Sequence, residues 1–369
     1  MKLYQWGALG LCLLLPAAAL ADFQYQETSQ ITGGSLLSMM KMMGHFSRDA
    51  RRAGEPTVST VYVQGNRMAR IDPDAIQIID LDKGTITNVD LKKHTYTEMT
   101  FEQMRQQMEI AAQKMKQQQA QAKSNAQQQP PTNVDLKFIV KVRSTGVAKQ
   151  VSGLNATESI LTMQMQGTDT TNGQQAAFAI TNDMWLAPDI PGYQELREFQ
   201  LKLAAKMGSA FTGSGLSSTM AAMQPGLGQG MSDMTKEVSK LKGFPVQQIM
   251  RMGATANGQP LPAASEAPLP DTSSGPQTPS AGDVAKQSAG SAIASRLGGF
   301  GGFGGFGHKK KTAPPPEESA DAQSNSSQQN AVVLMEMQTQ WTSFSSAPID
   351  PAKFTVPAGF TARPPQLTK

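Results

Sequence analysis

Residues 134–143 read VDLKFIVKVR, and no other stretch constrains the fold as tightly. Val134, Leu136, Phe138, Val140 and Val142 fall on one face of an extended chain. Asp135, Lys137, Lys141 and Arg143 fall on the other, with Ile139 the exception. Successive side chains of a strand point to opposite faces, so this pattern predicts a strand with one buried face. Burying such a row of apolar side chains contributes about 8–12 kcal/mol before entropy, enough to override local propensity.

The same period recurs along the chain. DFQYQETSQI reads as a strand, VSTVYVQGNRMARID as a hairpin turning at Gly65-Asn66, and AIQIIDLDKGTITNVDL as a second turning at Asp82-Lys83-Gly84. HTYTEM, VAKQVSG, ATESILTMQMQG and QAAFAITNDMWLA continue the meander, and FPVQQIMRMG and AVVLMEMQTQWTSF close it. Short turns between so many strands imply antiparallel pairing.

The helical periods are few and rich in methionine. GSLLSMMKMMGHF places Leu36, Met39, Met40, Met43 and Phe46 on one stripe. The stretch from Thr100 to Lys123 does so with Phe101, Met104, Met108, Ala111 and Met115. PGYQELREFQLKLAAKM does so with Tyr193, Leu196, Phe199, Leu203 and Met207, and a shorter candidate spans 232–242. A twisted sheet of many strands tends to curl, and amphipathic helices must bury their stripes against it. The expected fold is mainly β with α: a half-open antiparallel β-barrel with a few covering amphipathic helices.

Residues 256–330 interrupt this periodicity with Pro, Ser, Ala, Gly and Gln. Such a composition buries too little apolar surface to offset ordering entropy, so it reads as a long disordered insert before the last strand. Val333, Met335, Met337 and Trp341 beyond it need partners from the first part. Residues 22–255 and 331–362 are therefore expected to form one discontinuous domain.

The first 21 residues, MKLYQWGALGLCLLLPAAALA, have a minimal basic start, a short apolar run and a small-x-small end at Ala19-Leu20-Ala21. They read as a signal peptide cleaved near Ala21, which places the product in the periplasm or outside the cell. Leu11 before Cys12 argues against lipidation there, because a small residue is needed at that point. Cys12 is the one cysteine, so the mature chain has no disulfide, thiolate metal site or cysteine nucleophile. A formal net charge of +4 over 369 residues gives no case for a nucleic-acid binder.

Several segments carry a resemblance. VYVQGNRMARID, IIDLDKGTITNVDLKKHTYTEM, MWLAPDIPGY, LKGFPVQ and FTVPAGF resemble an exported bacterial domain family of unknown function. That family is itself similar in fold to the LolA/LolB-like lipoprotein carriers. The resemblance covers residues 22–255 and 331–362 and implies a half-open barrel with a helical lid and an apolar cavity. It brings no catalytic residues. The long insert departs from the compact carriers, so lipoprotein transport itself is not implied.

The residues show no reaction chemistry. Gly302 to Gly307 matches the glycine spacing of a phosphate loop, but His308 stands where lysine is needed, and neither a strand nor a helix flanks it. The stretch reads as a tether, or as a surface contact in which Phe300, Phe303 and Phe306 enter an interface while Lys309, Lys310 and Lys311 meet anionic lipid. His45, His94 and His308 lack metal-ligand spacing. Asp82-Lys83-Gly84 is turn chemistry.

Methionine is the excess, with 22 residues. Thioethers can hold Cu(I), but the alternating pairs Met163/Met165, Met250/Met252 and Met335/Met337 fit core filling or an adaptable ligand-binding lining better. Buried Trp185 and Trp341 suit a core or a cavity wall. The candidate lining comprises Met39, Met43, Met104, Met108, Leu136, Phe138, Val140, Met163, Met165, Trp185 and Trp341.

The expectation is a monomeric, non-enzymatic envelope protein without cofactor. It binds an acyl chain, a lipid or a lipidated protein in a concave apolar cavity. The alternatives are a structural or interaction protein with a solid core and, behind it, a methionine-based copper module.

Overall fold

A computed structural model of the chain describes residues 22–43, 54–125, 134–170, 173, 175–213, 225–256, 258–269 and 331–365. The alternating stretches become strands. β1 (Phe23–Gly33) leads through helix α1 (Ser35–Met43) to a meander of β2 (Thr57–Gln64), β3 (Arg67–Ile71), β4 (Ala75–Asp80), β5 (Thr85–Asp90) and β6 (Thr95–Thr100). Gly65 and Gly84 take positive φ of 58° and 65° at the two predicted hairpin turns, a conformation that glycine adopts without a Cβ penalty. Helix α2 (Phe101–Asn125) then starts on a reciprocal cap: Thr100 Oγ1 accepts from the Gln103 amide, and Gln103 Oε1 accepts from the Thr100 amide.

A second set of longer strands follows. β7 (Val134–Val151), β8 (Leu154–Asp169) and β9 (Gln175–Ala187) precede helices α3 (Tyr193–Gly213) and α4 (Pro225–Val238). β10 (Phe244–Ala256) and β11 (Ala331–Ser345) close the set, and a short 3-10 turn (Pro351–Phe354) leads to β12 (Thr361–Arg363). VAKQVSG, read from the sequence as a separate strand, is the second half of β7, beyond a register shift between Ser144 and Ala148.

All twelve strands form one sheet in the order β12-β6-β5-β4-β3-β2-β1-β11-β10-β9-β8-β7. Every pairing is antiparallel except the short β12–β6 ladder, which is parallel. The sheet is open: its edge strands, β12 and β7, are not paired to each other. The chain is thus mainly β with a few helices, as expected. β11 lies between β1 and β10, so the strand that follows the insert joins the two halves of the sheet.

The main core gathers Phe23, Val63, Leu81, Trp185, Val246 and Trp341 beneath Leu196 and Phe199 of α3. Phe244 is its hub. Its ring meets Tyr25, Tyr193, Trp341 and Phe344 in edge contacts at 5.2–5.9 Å, the arrangement that aromatic quadrupoles favour. A second cluster packs Ile349 and Phe354, from the segment before β12, onto Ala69, Ile76, Ile78 and Val89.

Residues 258–269, placed by composition in the insert, run against the sheet as a strap. Leu261 and Ala263 are each 1% exposed. The remainder of the expected insert, 270–330, and the expected signal peptide lie outside the described residues.

Candidate ligand-binding face

Partners in an antiparallel ladder carry their side chains on the same face. The register therefore builds rows across the long strands. Val140 pairs with Met163, Met163 with Ile180, Ile180 with Met252, and Met252 with Met335. One step along, Phe138 pairs with Met165, Met165 with Phe178, and Phe178 with Ala254. On the other side, Val142, Leu161, Asn182, Met250 and Met337 align in turn. The result is a broad apolar face on β7–β11, and most of its side chains are only half-buried.

Helix α4 covers one border of this face. Gly230 lies so close to Phe138 that an added Cβ would stand 2.8 Å from the Phe138 Cβ, so only glycine permits that approach. The Val142 amide donates to Glu237 Oε2 at 2.9 Å, tying the end of α4 to β7. Leu241 joins Val140, Val142 and Met163 around Leu161, Met184 and Leu186. Asn182 places a buried side-chain oxygen among the apolar rows without a hydrogen-bond partner.

The opposite face of the same strands is polar and closed by the strap. Arg251, 2% exposed, meets Glu336 Oε2 at 2.7 Å. It also donates to the carbonyls of Ala263 and Ala267 at 2.9 and 2.7 Å. Thr181 Oγ1 donates to the Leu261 carbonyl, and the Ser265 amide donates to Asp183 Oδ2. Asp183 and Glu158 are neighbours beneath the strap, and Asp183 Oδ1 and Glu158 Oε1 are buried without a hydrogen-bond partner. Burial holds the Asp183 carboxyl above its usual range, and the neighbouring Glu158 charge adds to this. Burial also acts to raise Glu158, but hydrogen bonds from Thr145, Ser265 and Asp183 outweigh it and hold Glu158 low. Lys149 stands 3.7 Å over the Trp185 ring, and burial lowers its pKa against the pull of Asp183 and Glu158. The Asp183–Glu158 pair ties down the strap through Ser265.

A cleft of about 410 Å³ opens elsewhere, lined by Arg70, Asp72, Gln77 and Asn88 with Ala75, Ile76 and Val89. Arg70 is already held by Glu27 and Asp72 at 3.1 and 3.2 Å. A half-polar pocket with a neutralised guanidinium does not suit an acyl chain.

The predicted lining separates in the structure. Leu136, Phe138, Val140, Met163 and Met165 do share the apolar face. Trp185 does not: on β9 it alternates with Met184 and pairs with Glu158, so it faces away from Met163. Trp185 and Trp341, 6% and 9% exposed, belong to the packed main core. The Trp341 Nε1–H donates to Glu27 Oε2 at 3.3 Å. Met39 is exposed on α1, whereas Met104 and Met108 are half-buried on α2, which packs on α3. The side chain of Met43 and all of Phe300, Phe303, Phe306, Lys309, Lys310 and Lys311 lie outside the described residues. The sequence reading omitted Phe178 and Ile180 from the lining, although their alternation in QAAFAITN carried the signal.

Among the described residues no group of three or more His, Cys, Asp or Glu side chains is arranged to hold a metal ion, and no helix is long and apolar enough to cross a membrane. No known family model matches the chain, and no curated protein sequence matches it.

Proposed function

We propose that the protein is a non-enzymatic component of the cell envelope that holds a lipophilic ligand, an acyl chain or the lipid of a lipidated protein, against the apolar face of β7–β11. The single observation that carries this reading is the half-buried row Val140–Met163–Ile180–Met252–Met335. Apolar side chains that remain partly open to water gain from an apolar occupant, and thioethers adapt to varied shapes. In this reading the sheet curves as a half-open barrel, in keeping with the resemblance to lipoprotein carriers. The chain is exported by its first 21 residues and acts in the periplasm or outside the cell. Phe300, Phe303 and Phe306 with Lys309, Lys310 and Lys311 add a weak, salt-sensitive contact with an anionic membrane.

The test uses a fluorescent fatty acid. Met165 is half-buried and belongs to no buried cluster among the described residues, so Met165→Lys is expected to spare the core while placing a charge on the face. It is expected to weaken probe binding by about tenfold or more, the equivalent of about 1.4 kcal/mol, with melting unchanged. Unchanged probe binding in a folded variant contradicts the assignment.

A second reading has its own support. The packed main core contains both tryptophans, with Trp341 against the Phe244 ring, which fits a structural or interaction protein with a solid core. That reading predicts no probe uptake by the unaltered protein.

A further inference from the structure

The register brings together two methionine pairs that are 85 residues apart in the chain. Met250 lies directly opposite Met337, and Met252 directly opposite Met335. Directly opposed Cβ atoms in an antiparallel ladder stand about 5 Å apart. Successive same-face residues along a strand stand about 7 Å apart. The four side chains thus mark the corners of a small rectangle, and each has three rotatable bonds with which to bring its sulfur inward. All four are half-buried, and none belongs to a buried hydrophobic cluster among the described residues.

The surroundings suit a soft cation. The flanking positions of the rows are Ile180 and Asn182 on β9, Ile31 on β1, Gln248 and Thr339 above, and Ala254 below. None carries a positive charge. Asn182, opposite Met250, holds the side-chain oxygen that has no hydrogen-bond partner. That oxygen is a hard donor, so the soft ligands of the rectangle are the four thioethers alone.

We propose that Met250, Met252, Met335 and Met337 form a binding site for Cu(I). Thioether sulfur is a soft ligand that selects Cu(I) over the harder divalent ions. The sequence ranked copper last because it showed pairs without their register. The site shares Met252 and Met335 with the row on which the lipophilic reading rests, but it is argued from the opposed thioethers and tested separately.

The experiment titrates the folded, full-length protein anaerobically with Cu(I) against a chromogenic chelator. In parallel, Ag(I), a redox-inert probe, is titrated into protein carrying ¹³C-methyl methionine. The expected result is one tightly bound ion per chain, with the methyl signals of these four methionines moving together. Methionine-to-leucine exchange conserves volume and keeps folds intact. Met250→Leu/Met337→Leu is therefore expected to weaken Cu(I) binding by about hundredfold, equivalent to about 2.7 kcal/mol. Met39→Leu is expected to leave it unchanged. The proposal is overturned if no methyl signal shifts at one equivalent of Ag(I), if the shifts fall on other methionines, or if the double variant binds Cu(I) as tightly as the parent. Should the double variant misfold, the methyl shifts in the unaltered protein still decide. Fatty-acid uptake is read separately and does not depend on the outcome.

Discussion

Arg251 and Glu336 form a buried ion pair, Nη2 to Oε2 at 2.7 Å, between the two strands that the insert separates in sequence. Arg251 also gathers the Ala263 and Ala267 carbonyls, so one guanidinium joins β10, β11 and the strap. Removing one partner leaves a buried charge uncompensated. Arg251→Met is expected to destabilise the protein by about 3–5 kcal/mol in urea denaturation. Adding Glu336→Gln removes that charge and is expected to restore part of the loss. A loss below about 1 kcal/mol in the single variant contradicts this role.

The central place of β11 sets a second expectation. A chain ending before Ala331 loses the strand between β1 and β10 and exposes two unpaired edges in the middle of the sheet. Scanning calorimetry of that truncated chain is expected to show no cooperative transition. A single sharp transition near the parent temperature shows instead that the two halves fold apart.

The strap and the rest of the insert should respond differently. Replacing residues 270–330 by a Gly/Ser linker changes stability little, because loop closure costs only about 0.6 kcal/mol per doubling of length. Extending the replacement to 258–269 strips acceptors from Arg251 and Thr181 and is expected to cost about 1–3 kcal/mol for each buried group left unpaired. Equal stability of the two variants contradicts the strap's role. At low salt, the linker variant is also expected to lose weak binding to anionic vesicles, for which three lysines supply about 3 kcal/mol at most.

Asp183 makes stability depend on pH. Its folded pKa is raised, so its contribution is fully present below the unfolded carboxylate pKa, about 3.9, and is lost as pH rises through the folded value. Glu158 is held low and acts in reverse, losing its contribution as pH falls through its folded value. Asp183→Asn stays neutral at every pH and can still accept from the Ser265 amide. Thermal melts above the unfolded carboxylate range are therefore expected to fall less with rising pH in this variant than in the parent. An identical pH profile contradicts the assignment.

Local pattern made much of this visible. Gly65-Asn66 and Asp82-Lys83-Gly84 turn where predicted, because a hairpin turn and its flanking alternation are encoded by neighbours. Helix α4 was anticipated at 232–242 but begins at Pro225, because Gly226, Gly228 and Gly230 argue against a helix until Phe138 is seen against Gly230. The strap was hidden for a related reason. Its Pro- and Ala-rich composition offers little of its own, and its order comes from Arg251, Thr181 and Asp183 on distant strands. Alternation showed that Trp185 and Met163 each had a buried side, but only the β8–β9 register shows that the two sides differ. The opposition of Met250 and Met337 is likewise a matter of long-range pairing.

Native mass spectrometry of the protein purified from its own envelope tests the lipophilic reading most directly. The account predicts a mass increment from copurified lipid that is lost on delipidation and regained with added fatty acid. Bare polypeptide in repeated preparations, together with no uptake of fluorescent fatty acid, contradicts it.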